Sequence, residues 1–104
     1  MKLEKIKEII DKDEVVLFMK GTRDFPQCGF SSRVIKILEN FKVKYQDYDV
    51  LANPDLRESI KEFSDWPTIP QLYVNGEFIG GSDIVYDMHR DGELESVFSN
   101  VEKN

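Results

Sequence analysis

The chain has 104 residues, of which 40% are hydrophobic and 12% aromatic, so we expect one domain over residues 1–104 with a single apolar core. Fourteen basic residues against twenty acidic ones give a formal net charge of -6, and the scattered basic residues argue against nucleic-acid binding. The single cysteine excludes an internal disulfide and a zinc site built from several cysteines of this chain, and it indicates a reducing compartment.

Nothing in the sequence indicates secretion or a membrane partner. Residues 2–12 are amphipathic and charged, unlike a secretory signal, and no apolar run approaches the length of a membrane span. We therefore expect a cytoplasmic protein, or alternatively one of an organelle matrix if a transit peptide has been removed.

The first half of the chain alternates between helical and strand patterns. Apolar residues at a helical period predict a short amphipathic helix over residues 3–11. The unbroken apolar run 15–19 predicts a buried central strand, and the aperiodic segment 21–27 predicts a loop that leads to Cys28. Apolar residues on one face predict a second helix over residues 31–41.

The second half adds strands and helices in a different order. Residues 45–50 predict a strand, and residues 53–63 predict a helix that begins with an Asn N-cap and a first-turn Pro. An Asn-Gly pair inside residues 71–79 predicts an antiparallel hairpin. Ser and Asp at 82–83 can cap a further helix, and a final helix is expected after Gly92.

This order of elements predicts an α/β fold of the thioredoxin-like class. A βαβ unit followed by a β-hairpin and a helix makes a four-stranded mixed sheet flanked by helices. A right-handed crossover through residues 31–41 makes the first two strands parallel, with strand 15–19 in the interior. Cys28 then lies at the carboxyl end of that strand.

The lone thiol is the first candidate for chemistry. Cys28 is followed three residues later by Ser31, where a dithiol redox protein carries a second cysteine. A helix N-terminus favours the thiolate, and Lys20 can add positive charge. A thiolate is both a nucleophile and a metal ligand, so a catalytic and a metal-binding role both stay open. Most lone cysteines are buried and inert, but the position between Pro26 and Gly29 argues against burial.

Three further features are candidate binding groups, and each has a simpler alternative. Pro70, close after Pro67, is a candidate for a cis peptide that exposes backbone for pairing with an extended peptide, although a trans bond is commoner. Residues 80–83, Gly-Gly-Ser-Asp, suit a carboxylate cradle or only a helix cap. Arg57 and Lys61 lie one helical turn apart and either hold a carboxylate or stay solvated.

Four sequence blocks together resemble the monothiol glutaredoxins of the CGFS type. They are KGT at 20–22, PQCGFS at 26–31, WPTIPQL at 66–72 and GGSD at 80–83, in the family's order and spacing across nearly the whole chain. The resemblance implies a glutaredoxin fold, a cis bond before Pro70, and glutathione as the bound thiol compound.

The resemblance implies which residues bind the carboxyl-terminal part of glutathione. Lys20 and Arg57 would bind the glycine carboxylate, and Lys61 would be a weaker helper. Thr68 and Ile69 would offer backbone hydrogen bonds to the cysteinyl part.

The other end of glutathione has its own implied residues. Ser82 and Asp83 would hold the γ-glutamyl end, with Asp83 facing its α-ammonium, and Pro70 completes the binding set. The ligand's sulfur would then point toward Cys28. Many members of the family carry cysteine where Ser82 stands, so any redox role of that second thiol is absent here.

The resemblance also implies a purpose for the missing partner thiol. A 2Fe-2S cluster normally needs four donors, and Cys28 with one glutathione supplies two. The family's cluster-bound form is a homodimer that bridges one cluster with two cysteines and two glutathiones. The implied function is to carry the cluster to apo iron-sulfur proteins, in cluster biogenesis, electron transfer and redox homeostasis, with BolA-type proteins as further candidate partners.

Two alternatives stay open, and with them the question whether the protein is an enzyme. In the first, Cys28 attacks a protein–glutathione mixed disulfide, becomes glutathionylated and is reduced by a second glutathione. Members of the CGFS type are typically weak at this, and the loop 22–26 is a candidate for steering glutathione away from in-line attack. In the second, the chain is a peptide-binding module that only retains the fold.

Overall fold

The computed structural model describes residues 2–104, which form five helices and four strands. In chain order these elements are α1 (Leu3–Lys12), β1 (Val15–Met19), α2 (Gly29–Asn40), β2 (Gln46–Asp49), α3 (Pro54–Ser64), β3 (Gln71–Val74), β4 (Glu77–Gly80), α4 (Ser82–Arg90) and α5 (Leu94–Val97).

The strands form one mixed sheet in the order β2-β1-β3-β4. β1 pairs in parallel with β2 and antiparallel with β3, and β3 pairs antiparallel with β4. All five residues of β1 are buried, since both edges of this strand are paired and both of its faces are covered. The predicted fold, a four-stranded mixed sheet with β1 in the interior, is confirmed.

Alternate side chains of β1 enter two separate core layers, because successive residues of a strand point to opposite faces of the sheet. Leu17 packs with buried residues of α2 and α4 in one layer. Phe18 packs with buried residues of α1 and α3 in the other, and its ring lies 5.7 Å from that of Tyr73. Helices therefore cover both faces of the sheet, as predicted.

Two local predictions are confirmed by backbone geometry. The Asn53 side chain accepts a hydrogen bond from the Leu56 N–H at 3.1 Å, with Pro54 in the first turn of α3. Asn75 and Gly76 join β3 to β4 with φ angles of +51° and +81°, the left-handed conformation that a tight hairpin turn requires.

Two helix starts differ from the sequence-based predictions. α2 begins at Gly29, two residues before the predicted start. The apolar period does not reveal this first residue pair, because Phe30 is exposed. α4 begins at Ser82 with Gly81 as its N-cap, and no side chain caps it. The prediction that Ser82 and Asp83 cap α4 is therefore wrong, since both side chains are engaged by another helix.

No helix within residues 2–104 combines the length and the apolar character needed to cross a membrane.

Candidate functional site

Cys28 is the N-cap of α2, beside the carboxyl end of β1, and its thiol is free and partly buried. Burial raises the pKa of the Cys28 thiol, but the backbone N–H groups of Ser31 and Phe30 lower it. The charge of Lys20 and the Ser31 hydroxyl lower it further, so the pKa lies below its ordinary value. The arrangement thus enriches the thiolate near neutral pH, the form that attacks disulfides and ligates metals.

Ser31 has a structural role in the place of a second cysteine. Its side chain is completely buried, and its hydroxyl accepts a hydrogen bond from the Lys20 backbone N–H at 3.2 Å. This bond ties the end of β1 to the first turn of α2. Serine thus removes the option of an internal disulfide while keeping Lys20 beside Cys28.

The segment between β1 and Cys28 is a loop, as predicted, and several contacts fix its conformation. Gly21 and Pro26 form an isolated antiparallel bridge across it. The Arg23 guanidinium donates to Asp47 Oδ1 at 2.9 Å and lies 4.0 Å above the centre of the Tyr45 ring. The loop is therefore anchored to Asp47 of the edge strand β2 and to Tyr45, which immediately precedes that strand.

Replacing Gly21 by alanine should destabilise the protein through this loop. Gly21 has φ +88°, and an added Cβ would lie 2.5 Å from the Phe25 carbonyl oxygen. We expect a loss of about 2 to 4 kcal/mol in the free energy of unfolding, measured by urea denaturation. Gly92→Ala is the matched control, because Gly92 has φ +77° but its Cβ would meet nothing within 4 Å. Equal losses in the two variants would show that the close contact contributes nothing.

A cleft of about 420 Å³ opens beside the thiol. Seven of the eight residues predicted to bind a ligand line it together, while Cys28 lies just outside, next to its Phe30 and Lys20 walls. The lining residues are Lys20, Phe30, Arg57, Trp66, Pro67, Thr68, Ile69, Pro70, Gly81, Ser82, Asp83 and Ile84.

Lys61 is the predicted site residue that the structure does not bring to the cleft. Its Nζ lies 3.2 Å from Glu58 Oε1 on the same helix, and it borders a separate surface depression. Arg57, one turn earlier, does line the cleft, and its Nε is buried without a hydrogen-bond partner among residues 2–104. Arg57 and Lys20 are therefore the predicted cations that line the cleft, Lys61 lies outside the lining, and its role as a helper in ligand binding stays a prediction.

The floor of the cleft contains the cis bond between Ile69 and Pro70, which confirms the prediction for this proline. Behind it, the buried side chain of Gln71 donates through Nε2 to the carbonyl oxygens of Trp66 at 3.1 Å and Thr68 at 3.2 Å. Gln71 thus fixes the turn that presents the backbone of residues 68–69 to the cleft.

Arg33 is a residue that the sequence-based reasoning missed. From α2 its Nε donates to Ser82 Oγ at 3.1 Å and its Nη2 to Asp83 Oδ1 at 2.7 Å. The guanidinium carbon also lies 4.6 Å from the centre of the Tyr86 ring. The only sequence signal for Arg33 is its position two residues after Ser31. That position does not reveal that its partners lie on α4.

Lys20→Gln should raise the pKa of the Cys28 thiol, because it removes the positive charge that favours the thiolate. The thiolate fraction at neutral pH should fall, which the pH dependence of the alkylation rate by iodoacetamide measures. Lys61→Gln is the control and should leave the profile unchanged, since Lys61 is paired with Glu58 away from the cleft. An equal shift in both variants would contradict a local effect of Lys20.

The described part of the chain holds no group of three or more His, Cys, Asp or Glu side chains arranged to bind a metal ion. Any metal bound at Cys28 therefore needs donors from outside this polypeptide.

Comparison of the sequence with known proteins identifies the family of the chain. The sequence profile described as Glutaredoxin matches residues 15–79. The chain is 54% identical over 99 residues to "Monothiol glutaredoxin-5, mitochondrial" of Schizosaccharomyces pombe, which covers 92% of this chain and 68% of that protein. It is 50% identical over 101 residues to "Probable monothiol glutaredoxin 2" of Rickettsia typhi, covering 97% of this chain and 91% of that protein.

Solved structures agree with the sequence relatives. A monomeric truncated mutant of Trypanosoma brucei 1-C-Grx1 superposes with a TM-score of 0.88 at 40% identity, covering 100% of this chain and 96% of that one. A buckwheat glutaredoxin–glutathione complex superposes with a TM-score of 0.81 at 27% identity, covering 93% of this chain and 86% of that one. With one cysteine at the start of α2, the chain belongs to the glutaredoxin family as a monothiol member.

Proposed function

We propose that this protein binds glutathione in the cleft and, as a homodimer, carries a 2Fe-2S cluster as cargo to apo iron-sulfur proteins. One observation carries the proposal. A thiol with a lowered pKa lies beside a cleft that is lined by two cations, Lys20 and Arg57, and by the carboxylate of Asp83. No second cysteine exists in the chain to complete a ligand set.

The chemistry of the cleft fits glutathione from end to end. Glutathione has a carboxylate at its glycine end and a zwitterionic α-amino-acid head at its γ-glutamyl end. Lys20 and the unpaired Arg57 Nε suit the glycine carboxylate, and Asp83 suits the ammonium. Residues 68–69 also line the cleft, where an extended peptide can pair with their backbone. The buckwheat glutaredoxin of the same fold was solved as a complex with glutathione, which supports glutathione as the ligand class.

The cluster assignment follows from counting donors. Cys28 and one glutathione thiolate supply two ligands, so two subunits supply the four that a 2Fe-2S cluster needs. Phe25 and Phe30 flank the thiol and are 73% and 59% exposed, which leaves apolar surface available to a second copy. With only two protein ligands the cluster is easily passed on, which suits delivery to apo-proteins and contact with BolA-type partners.

Anaerobic reconstitution with iron, sulfide and glutathione tests the proposal. We expect a visible absorption band from a species with the mass of a dimer, and none when glutathione is omitted. A cluster on a monomer, or one that forms equally well without glutathione, would overturn the dimeric glutathione-bridged arrangement. Transfer to an apo 2Fe-2S ferredoxin, followed by circular dichroism, then tests the carrier role.

The lowered pKa of Cys28 also supports a second candidate, glutathione-dependent reduction of protein–glutathione mixed disulfides. The thiolate attacks the glutathione sulfur and releases the protein thiol, and a second glutathione then reduces Cys28 and leaves as glutathione disulfide. A coupled assay with a glutathionylated peptide should show slow turnover if cluster transfer is the main function. Both candidates require a reducing compartment, which we propose is the cytoplasm or an organelle matrix.

A further inference from the structure

Beside the Asp83 end of the cleft lies a cation, Arg33, that the family resemblance does not assign; it contacts two lining residues without lining the cleft itself. Arg33 reaches across from α2 to α4 and contacts Ser82 Oγ at 3.1 Å and Asp83 Oδ1 at 2.7 Å. The Asp83 side chain is 88% exposed, whereas that of Arg33 is 35% exposed. The less exposed arginine therefore contacts a carboxylate that stays solvent-facing at the rim of the cleft.

The position of this guanidinium leaves it able to bind a further group. A guanidinium has five N–H donors in a fixed plane, and the contacts with Ser82 and Asp83 use two of them. The Tyr86 ring, 4.6 Å from the guanidinium carbon, supports one face. Because the group is held by three partners, little side-chain entropy remains to be lost when a ligand binds.

The charges at this end favour a ligand with both signs of charge. A bare ammonium would meet an Asp83 that is already paired with Arg33, and a bare carboxylate would meet an Arg33 that is already paired with Asp83. An α-amino-acid head satisfies both, since its ammonium pairs with Asp83 while its carboxylate takes the free donors of Arg33.

We infer that Arg33 is a specificity-determining residue of the cleft: it binds the α-carboxylate of the ligand's amino-acid head and keeps Asp83 in position for the α-ammonium. The inference rests on the proposed binding of glutathione, whose γ-glutamyl end is such a head. A guanidinium that only joined α2 to α4 would affect stability without selecting the ligand.

A cycle of protein and ligand changes tests this role. Dissociation constants of reduced glutathione and of γ-aminobutyryl-cysteinyl-glycine, which retains the ammonium but lacks the α-carboxylate, are measured by isothermal titration calorimetry. Arg33→Gln should weaken glutathione binding about tenfold and change binding of the analogue by less than about twofold. Lys36→Gln, on the exposed side of the same helix, is the control and should alter neither constant.

Each other outcome decides against the inference. Equal weakening of both ligands by Arg33→Gln would show that Arg33 acts only through Asp83, and no weakening would show that it merely ties two helices. Arg33→Lys, which keeps the charge without the planar fork, should retain only part of the affinity for glutathione and serves if the glutamine variant does not fold. If the unmodified protein binds neither ligand, the proposed function itself fails; if it binds glutathione and the cycle shows no coupling, only the role of Arg33 fails.

Discussion

Cys28→Ser should abolish assembly of the dimeric cluster while leaving the fold intact. Cys28 supplies the only thiolate that the chain offers, so a dimer of the variant keeps only the two glutathione donors of the four required. Cys28 lies outside both core layers, so the midpoint of thermal unfolding should change by no more than a few degrees. Reconstitution followed by absorption spectroscopy and native mass spectrometry measures the loss.

Ser31→Ala is a matched control for this variant, since it alters the same helical turn and keeps the thiol. It removes the hydroxyl that accepts from the Lys20 N–H and that helps to lower the pKa of Cys28. We expect this variant to form the cluster, with a higher thiol pKa and a loss of roughly 1 kcal/mol in stability. Cluster formation by Cys28→Ser at the level of Ser31→Ala would refute Cys28 as the ligand.

Gln71→Leu should cause the largest loss of stability among the substitutions considered. Gln71 is fully buried, and besides its two bonds to the 66–68 turn its Oε1 accepts from the Tyr73 hydroxyl at 3.1 Å. Leucine fills a similar volume but removes all three of these bonds, two to part-buried carbonyl oxygens and one from the buried Tyr73 hydroxyl. We expect a loss of about 3 to 5 kcal/mol in the free energy of unfolding, measured by urea denaturation.

The hydrogen-bond network of Gln71 with Trp66, Thr68 and Tyr73 can be followed by fluorescence, and Gln46 offers a control outside it. Trp66, the single tryptophan, reports on the turn through its fluorescence, which should shift in Gln71→Leu before global unfolding. Burial raises the pKa of Tyr73 to about 12, so its hydroxyl stays protonated and donates throughout the neutral range. Gln46→Leu, an exposed change on an edge strand, should alter stability by less than about 0.5 kcal/mol. Similar losses in both variants would show that the network is unimportant.

Local backbone chemistry explains which elements could be predicted. The continuous apolar run of β1 marks a strand covered on both faces, the Asn53 cap marks a helix start, and Asn75 with Gly76 marks a hairpin. Each signal depends on residues adjacent in the chain, so no tertiary information was needed. The start of α2 lies outside the apolar period because Phe30 is exposed, and the start of α4 differs because Arg33 of another helix engages the Ser82 and Asp83 side chains.

Motif blocks and hydrophobic periods are local properties, so they predict the family, the sheet with its central strand and the lone thiol at a helix start. Which charged side chains meet at the cleft depends instead on how the helices pack. Lys61 pairs with Glu58 along its own helix, whereas Arg33 reaches Asp83, fifty residues away in the chain. Such a pairing depends on which faces of α2 and α4 oppose each other, a consequence of packing both helices on one side of the sheet.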